Sequence, residues 1–392
     1  MLYRPQIFII IYFFITATIS HAMEMEIKPV PKEAKILTKL TGTGFPCFIT
    51  YSHNNTIITG KHNNTIITGQ YEKDSPHYRC YRWDLKTKKG IFLFSCSLYP
   101  ELTANPNKQT ITIQENEHIT IYDIIKQTPI KKTNLESVIT PEHCLYSNNT
   151  SLMITRSLRD NKLTIETFNL NNKSQKSYHL EQHINGNIAT HNPPPQELTL
   201  FDNLHQKTIM IGLNNDKAFV KKEFKAPDCI SIAYYSPDHS LIALAPSRLY
   251  ETKGFYILDL KTYSFSELLS NNEDISAMKF HPTSCILATF SYSTLMLHFW
   301  NAKALKHIES IFLNIIYDEL SPGDVNHYID FAPNGKSIVI TLVNKCLEVE
   351  VPSEVLYEVN KKRIFTYWIL KNYQQQHTSV IPNEIIQLLN TY

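Results

Sequence analysis

The sequence predicts an all-β chain made of repeated sheet modules, and three observations carry that expectation. First, residues 274–304 resolve into three β-type runs, Ile275–Phe280, Cys285–Phe290 and Leu295–Trp300. They are broken by His281-Pro282-Thr283-Ser284 and Ser291-Tyr292-Ser293 and closed by Asn301. β-Branched and aromatic residues suit a pleated, half-buried surface, whereas Pro, Ser and Asn end it. Second, the way this module ends recurs along the chain. Third, the turn that opens it recurs as well, in Tyr235-Ser236-Pro237-Asp238, Phe280-His281-Pro282-Thr283 and Phe331-Ala332-Pro333-Asn334-Gly335. Proline fixes φ at the start of each such turn, the polar residues make the reversal, and the next strand restarts apolar.

The module endings set the period. They are Trp83-Asp84, Tyr122-Asp123, Phe168-Asn169, a weaker Phe219-Val220, Leu258-Asp259, Trp300-Asn301 and Val349-Glu350. Successive intervals of 39, 46, 51, 39, 42 and 49 residues average about 44, the length of a four-stranded propeller blade. Seven endings therefore predict a β-propeller of seven four-stranded blades with a short helical C-terminal tail. One such sheet cannot bury both faces alone, so neighbours must stack around an axis.

These endings and turns resemble the WD-repeat β-propeller family over residues 45–359. The likeness is strongest in the last three modules, and Asn192-Pro193-Pro194-Pro195 interrupts the fourth. Only Trp83-Asp84 carries the family's Trp-Asp dipeptide, and no Gly-His pair marks the module junctions. The turns are equally similar to those of periplasmic propellers with "SPDG"-like reversals. Either resemblance implies a closed ring whose connections supply binding surfaces.

Composition agrees with a large core. The chain has 392 residues, 43% of them apolar and 19% charged. A formal charge of +2 gives no overall pull toward nucleic acid or an anionic membrane. Only 10 glycines are present, so asparagine is expected to take over the turns, as at Asn54-Asn55, Asn63-Asn64, Asn148-Asn149, Asn171-Asn172, Asn214-Asn215 and Asn271-Asn272. The seven cysteines form no CxxC pair and sit mostly in apolar runs, so they read as buried small hydrophobes.

Residues 1–22 have the layout of a secretory signal peptide: Arg4, the apolar run Ile7–Ala17, then Ser20-His21-Ala22. This predicts a secreted or periplasmic protein, with an uncleaved anchor at residues 7–19 and a true start at Met23 as the alternatives. Residues 23–44 form a lead-in. Within them Lys35–Leu40 is a candidate ring-closing strand beside Val343–Val351, a place that Glu354–Val359 could fill instead. His53–Gly60 and His62–Gly69 repeat one string, which reads as a hairpin or as a slip that lengthened a loop. Residues 360–392 change character: Ile364, Phe365, Trp368, Ile369 and Tyr373 have helical spacing. Ile381-Pro382-Asn383-Glu384-Ile385 is similar to the opening of an F-box or the end of a SOCS box, which would imply docking to a ligase adaptor.

No catalytic residue, cofactor-binding residue or metal ligand is assigned. There is no GxSxG, HExxH, Walker, CxxC or GxGxxG string. His281 and His298 are read as completing a turn and a core, and Glu115/Glu117 and Glu348/Glu350 as solvated strand faces. Lys86, Lys88, Lys89, Lys126, Lys173, Lys221, Lys222, Lys261 and Lys303 follow module endings and could ring one face of a propeller. Asn54, Asn63, Asn148–Asn149 and Asn172 read as glycosylation acceptors for a eukaryotic secretory route.

The expected function is that of a non-enzymatic, monomeric scaffold that binds a protein or peptide through the propeller's loops. A lactonase-like hydrolase or small-ligand binder, and an adaptor using the C-terminal tail, are the alternatives. Membrane association is expected only through the N-terminal segment.

Overall fold

An unbroken run of strand-forming residues would extend as one ribbon; here Pro, Ser, Asp and Asn cut the chain every few residues, and it folds back on itself each time. The computed structural model describes residues 32–361 apart from 42–44, 53–64, 72–77, 85–88, 97–100, 105–109, 116–117, 124–125, 135–140, 149–150, 158–162, 170–173, 181–185, 189–195, 204, 215–216, 247–252, 271, 315–327 and 343–344. Met1–Lys32 and Glu33–Tyr392 are separate units, and the architecture below is that of the second.

Six antiparallel meanders of four strands follow one another, the sixth with a short N-terminal strand added at its outer edge, and a seventh sheet takes its fourth strand from the N-terminal side. Blade 1 comprises Phe45–Ser52, Thr65–Tyr71, Tyr78–Asp84 and Lys89–Cys96. Blade 2 comprises Glu101–Ala104, Thr110–Glu115, His118–Asp123 and Thr128–Asn134. Blade 3 is Pro141–Asn148, Ser151–Ser157, Leu163–Asn169 and Gln175–Leu180. Blade 4 is Gly186–Ile188, Glu197–Asp202, Lys207–Asn214 and Lys217–Lys225. Blade 5 is Ile230–Tyr235, Leu241–Pro246, Tyr256–Asp259 and the two-residue Ser264–Phe265. Blade 6 is Ala277–Phe280, Ile286–Ser291, Met296–Asn301 and Lys306–Phe312. Blade 7 is Ile329–Phe331, Ser337–Leu342 and Lys345–Glu350, with Ile36–Thr41 as its outer strand. The first strands of blades 2 and 3, 4 and 5, 5 and 6, and 6 and 7 lie side by side, and that of blade 7 lies against that of blade 1. The ring is closed: the chain is a seven-bladed β-propeller.

Closure comes from the N-terminal strand. Ile36–Thr41 pairs antiparallel with Lys345–Glu350, Lys39 opposite Leu347 and Leu40 opposite Cys346. Just before it, Ala34 N–H donates to Phe312 O at 2.8 Å on the outer edge of blade 6, and Asn314 Nδ2 donates to Glu33 at 2.9 Å. One segment thus edges two blades. Glu354–Val359, the alternative occupant, is helical: residues 353–361 form one helix, starting within the stretch expected to be propeller. Val355 of that helix is fully buried in the core shared by blades 6 and 7. The signal-peptide segment, the tail beyond residue 361 with its F-box-like string, and Asn54, Asn63, Asn149 and Asn172 lie outside the described residues.

Burial explains why some strands read as unbroken apolar runs. The second strands Leu241–Pro246, Ile286–Ser291 and Ser337–Leu342 are buried on both faces, because a blade presents one face to each neighbour. Phe290, Leu297 and Phe299 of blade 6 pack with Ile329, Phe331, Ile338 and Val349 of blade 7. The other face of blade 6 sends Leu287 and Trp300 against Phe255 and Ile257 of blade 5. Outer strands have no such cover on one edge, and Lys217–Lys225 alternates exposed and half-buried residues with four lysines along it. Lysine on an open edge discourages a foreign strand from pairing there.

Two expectations are corrected. The fourth module ends at Leu213-Asn214, the end of the third strand, and not at Phe219-Val220 in the outer strand. Phe219 pairs with Gly212 and lays its ring over the place of the missing side chain, which is why an aromatic stands there. The endings then fall at 45-residue intervals on both sides of blade 4. The repeated string does not form a hairpin with itself. The strand of its second copy pairs with Phe45–Ser52 on one edge and Tyr78–Asp84 on the other, so both edges are taken.

Turn chemistry also differs from expectation. Asn272 is the one asparagine with positive φ among the described residues; the others are Gln127, Gln206, His239, Tyr263, Leu295 and Leu305. Five of these stand four residues after a short polar residue: Asp123, Asp202, Asp259, Ser291 and Asn301. The carboxylate or amide accepts from a backbone N–H inside the turn, as Lys126 to Asp123 at 2.9 Å, Thr262 to Asp259 at 3.0 Å and Ala304 to Asn301 at 3.0 Å. That hydrogen bond fixes the reversal at its start, so a large residue is carried into the left-handed region at its end. The first-to-second-strand turns share another scheme. Ser236, His281 and Ala332 each donate N–H to the carbonyl five residues on, at 2.8–2.9 Å.

Gly335 has φ +70 in the last of these turns, and an added Cβ would overlap the His281 imidazole of blade 6. Gly335→Ala is expected to lower stability by about 2–4 kcal/mol, combining left-handed strain with overpacking. Thermal melting of Gly335→Ala in a His281→Ala background separates the two. Relief of the overlap should leave a residual deficit of about 1–2 kcal/mol from φ alone.

Candidate functional site

Two places gather polar side chains. The first is the propeller edge formed by the first-to-second and third-to-outer turns, which lie at the same end of every meander. Adjacent blades touch along it: Cys285 Sγ donates to Asp238 Oδ2 at 3.6 Å, and the His281 ring lies 5.2 Å from Phe331. Burial and the Asp238 charge push the Cys285 thiol up to about 11, so it is no nucleophile at neutral pH. Burial opposes ionisation of Asp238, but hydrogen bonds from Ser236, Ser240 and Cys285 outweigh it and hold the carboxyl below its usual range.

The lysines sort themselves on this edge. Lys126, Lys261 and Lys303 stand exposed in third-to-outer turns, as the sequence reading placed them. Lys221 and Lys222 do not: they lie inside the outer strand of blade 4, Lys221 paired with Glu197 and Lys222 4.1 Å over the Tyr263 ring. Exposed Lys217, Lys306 and Lys336, which the reading missed, join the edge instead. Among the described residues, no carboxylate lies in ion-pair reach of Lys217, Lys261, Lys303, Lys306 or Lys336. Leu305 projects between Lys303 and Lys306, 45% exposed and held at φ 52. Lys86, Lys88 and Lys173 lie outside the described residues.

Glu348 contradicts the solvated-face reading. It is 4% exposed, because the closing strand covers its edge, and it accepts from Ser337 Oγ at 2.8 Å. Glu350, two residues on, pairs with Lys35 at 2.5 Å. On the innermost strands, equivalent positions carry Tyr234, Lys279 and Asp330. Lys279 reaches Asp330 at 3.3 Å and sits 5.5 Å from the Tyr234 ring, so unlike groups satisfy one another there.

The second place is the wedge between blades 5 and 6, where the blade 5 outer strand is cut to two residues. His298 and Trp300, two apart on the third strand of blade 6, face blade 5 together; Phe255 lies 5.1 Å from Trp300. Trp300 Nε1 donates to Thr289 Oγ1 at 3.0 Å. His298 is 3% exposed; its Nε2 lies 2.9 Å from Glu273 and its Nδ1 lies 2.7 Å from Ser310 Oγ. His307 Nε2 approaches the same Ser310 oxygen at 2.7 Å. Thr294 Oγ1 also donates to Glu273, at 2.7 Å. A β-bulge between Phe299 and Trp300 sets His307 opposite Trp300 while Ser310 stays opposite His298. Residues three apart on a regular strand face opposite ways, so the bulge is what brings His307 and Ser310 together.

The electrostatics follow. Burial raises the Glu273 carboxyl, but hydrogen bonds from His298 and Thr294 and the imidazole charge prevail and lower it. Burial and the neighbouring His298 lower His307. The sequence reading singled out His298 as a core residue, which its burial matches, and passed over Glu273, His307 and Ser310. No string marks them, since a bulge and a loop bring them together. His281 also completes its turn: Thr283 N–H donates to its Nδ1 at 3.3 Å. Among the described residues, no three His, Cys, Asp or Glu side chains are placed to hold a metal ion, and no helix is long and apolar enough to cross a membrane.

No protein-family model matches the sequence, and no curated protein matches it. In structure, the chain is similar to a chain of the crystal structure of the mitotic checkpoint complex, at TM-score 0.58 and 12% identity, covering 83% of this chain and 94% of that one. With 1195 chains of solved structures matching, the likeness identifies a widely shared architecture and assigns no role to it.

Glu273 has a folded pKa below its unfolded value, so its contribution is present at neutral pH and is lost as pH falls through the folded value. Glu273→Gln is expected to lower stability at pH 7 by about 2 kcal/mol, the worth of hydrogen bonds to a charged group. Melting curves from pH 7 down to 3 should show the deficit shrinking below about pH 4, the ordinary range of the carboxylate.

Proposed function

We propose that this propeller is a protein-binding scaffold whose lysine-bearing turn edge takes an acidic protein segment. The observation that carries the reading is the run Lys261, Lys303, Lys306 and Lys336 across three consecutive blades, exposed and without a carboxylate in reach among the described residues. Charge of one sign on successive blades steers an oppositely charged partner toward the same edge. Leu305 adds an apolar anchor at its centre, and desolvated anchors contribute most of an interface's energy. The propeller supplies rigidity, since these turns are pinned by their own Asp and Asn side chains. The multiprotein crystal structure that the fold resembles is compatible with such a role. In this reading the N-terminal leader at residues 1–22 would deliver the propeller out of the cytoplasm.

The test is affinity capture by the wild-type chain and by a fourfold Lys261→Glu, Lys303→Glu, Lys306→Glu, Lys336→Glu variant, with cross-links mapped by mass spectrometry. The reading predicts an acidic partner cross-linked beside these turns. Its recovery should fall at least tenfold for the variant and fall similarly for wild type in about 0.5 M salt, where screening shortens to a few ångströms. Equal recovery by both proteins, or cross-links confined to the opposite edge, would reject it.

A further inference from the structure

We propose that the wedge between blades 5 and 6 is an acyl-transfer site in which Ser310 is the nucleophile, His298 its general base and Glu273 the group that orients the base. Nucleophilic serine needs a base within about 2.6–3.2 Å of its oxygen and a third group fixing that base. His298 Nδ1 lies 2.7 Å from Ser310 Oγ, and Glu273 holds the other ring nitrogen at 2.9 Å. All three come from different elements: the blade 5-to-6 connection, the third strand and the outer strand of blade 6.

Burial is graded as such a site requires. The base is sealed from solvent, whereas Ser310 and His307 are half-buried. His307 Nε2, 2.7 Å from the same oxygen, is a second imidazole beside the nucleophile. As an N–H donor to Ser310 Oγ it leaves the hydroxyl proton to His298. Burial and the neighbouring His298 lower its pKa, which favours the uncharged ring. Trp300, 5.0 Å from His307, makes one aromatic wall, and Leu268, 39% exposed, follows the shortened outer strand of blade 5. A bulge that re-aims one residue onto another's face is a device common beside active sites. It serves no pairing purpose here, since it leaves one residue of the outer strand without a cross-strand partner.

The substrate class is a small carboxylic ester with an apolar acyl group. Ser310 Oγ attacks the carbonyl carbon and its proton passes to His298. The carbon–oxygen bond to the alcohol breaks, and the alcohol leaves with that proton. Water then attacks the acyl-serine, giving its proton to His298, and the carboxylic acid and the serine hydroxyl are released. This activity is independent of the lysine edge, so either proposal can fail without the other.

The experiment treats the full wild-type chain with an alkyl fluorophosphonate and maps the adduct by mass spectrometry. Phosphonylation of Ser310, with loss of fluoride, is expected, together with hydrolysis of p-nitrophenyl butyrate above the buffer rate. Ser310→Ala should abolish both, and Glu273→Gln should slow turnover by about tenfold to a thousandfold with little change in KM, since a misoriented base affects the chemical step. The rate should rise with pH to a plateau. An intact, folded wild-type chain with Ser310 unmodified overturns the proposal without reliance on any variant. So does ester turnover that Ser310→Ala leaves unchanged.

Discussion

Everything in this molecule depends on the sharing of blade faces around a closed ring. A four-stranded sheet with both faces apolar has nowhere to put them, and each blade here has a neighbour on either side only because the last blade meets the first. Blade 7 is completed by Ile36–Thr41, so the two ends of the propeller chain are held in one sheet. The same segment, two residues earlier, bonds to the outer edge of blade 6. Loss of this strand would expose the edge of Lys345–Glu350 and uncover Glu348, whose buried carboxylate is tolerable only with its hydrogen-bond partners in place.

The blade pattern was legible because it is set by local chemistry. Pro-containing reversals at Ser236, His281 and Ala332 and the endings at Leu258, Trp300 and Val349 mark strands through the turns alone. Blade 4 misled because Phe219 is an aromatic in a strand-like run, as Trp83 and Trp300 are, while the true ending Leu213-Asn214 keeps the apolar-then-Asn order without an aromatic. Phe219 is there to cover Gly212, a cross-strand relation invisible along the chain. The turn prediction failed for a related reason. Asparagine was assigned the positive φ that the chain gives to Gln, Tyr and Leu, because the Asp, Asn or Ser four residues earlier decides the geometry. Glu348 read as a solvated charge since nothing local tells that Thr38, 310 residues upstream, will lie opposite it.

The functional surfaces show the same division. Lys126, Lys261 and Lys303 could be placed as soon as their turns were, whereas Lys217, Lys306 and Lys336 needed the strand bounds themselves. The polar wedge could not, because a β-bulge in Lys306–Phe312 and a connection between two blades are needed to assemble it. The two surfaces use the scaffold differently. The turn edge offers charge and one apolar knob on pinned loops, suited to holding a partner. The wedge holds an imidazole between a carboxylate and a half-buried hydroxyl, the arrangement on which the proposed acyl transfer rests. A rigid ring serves both, since neither place has to move for the other to work.

Backbone hydrogen–deuterium exchange on residues 36–41, followed by mass spectrometry, tests ring closure most directly. If the N-terminal strand is the last blade's fourth member, its amides should exchange slowly, at the pace of Lys345–Glu350, and the two segments should open together as denaturant is added. Amides at 36–41 that exchange within seconds while 345–350 stay protected would contradict the account.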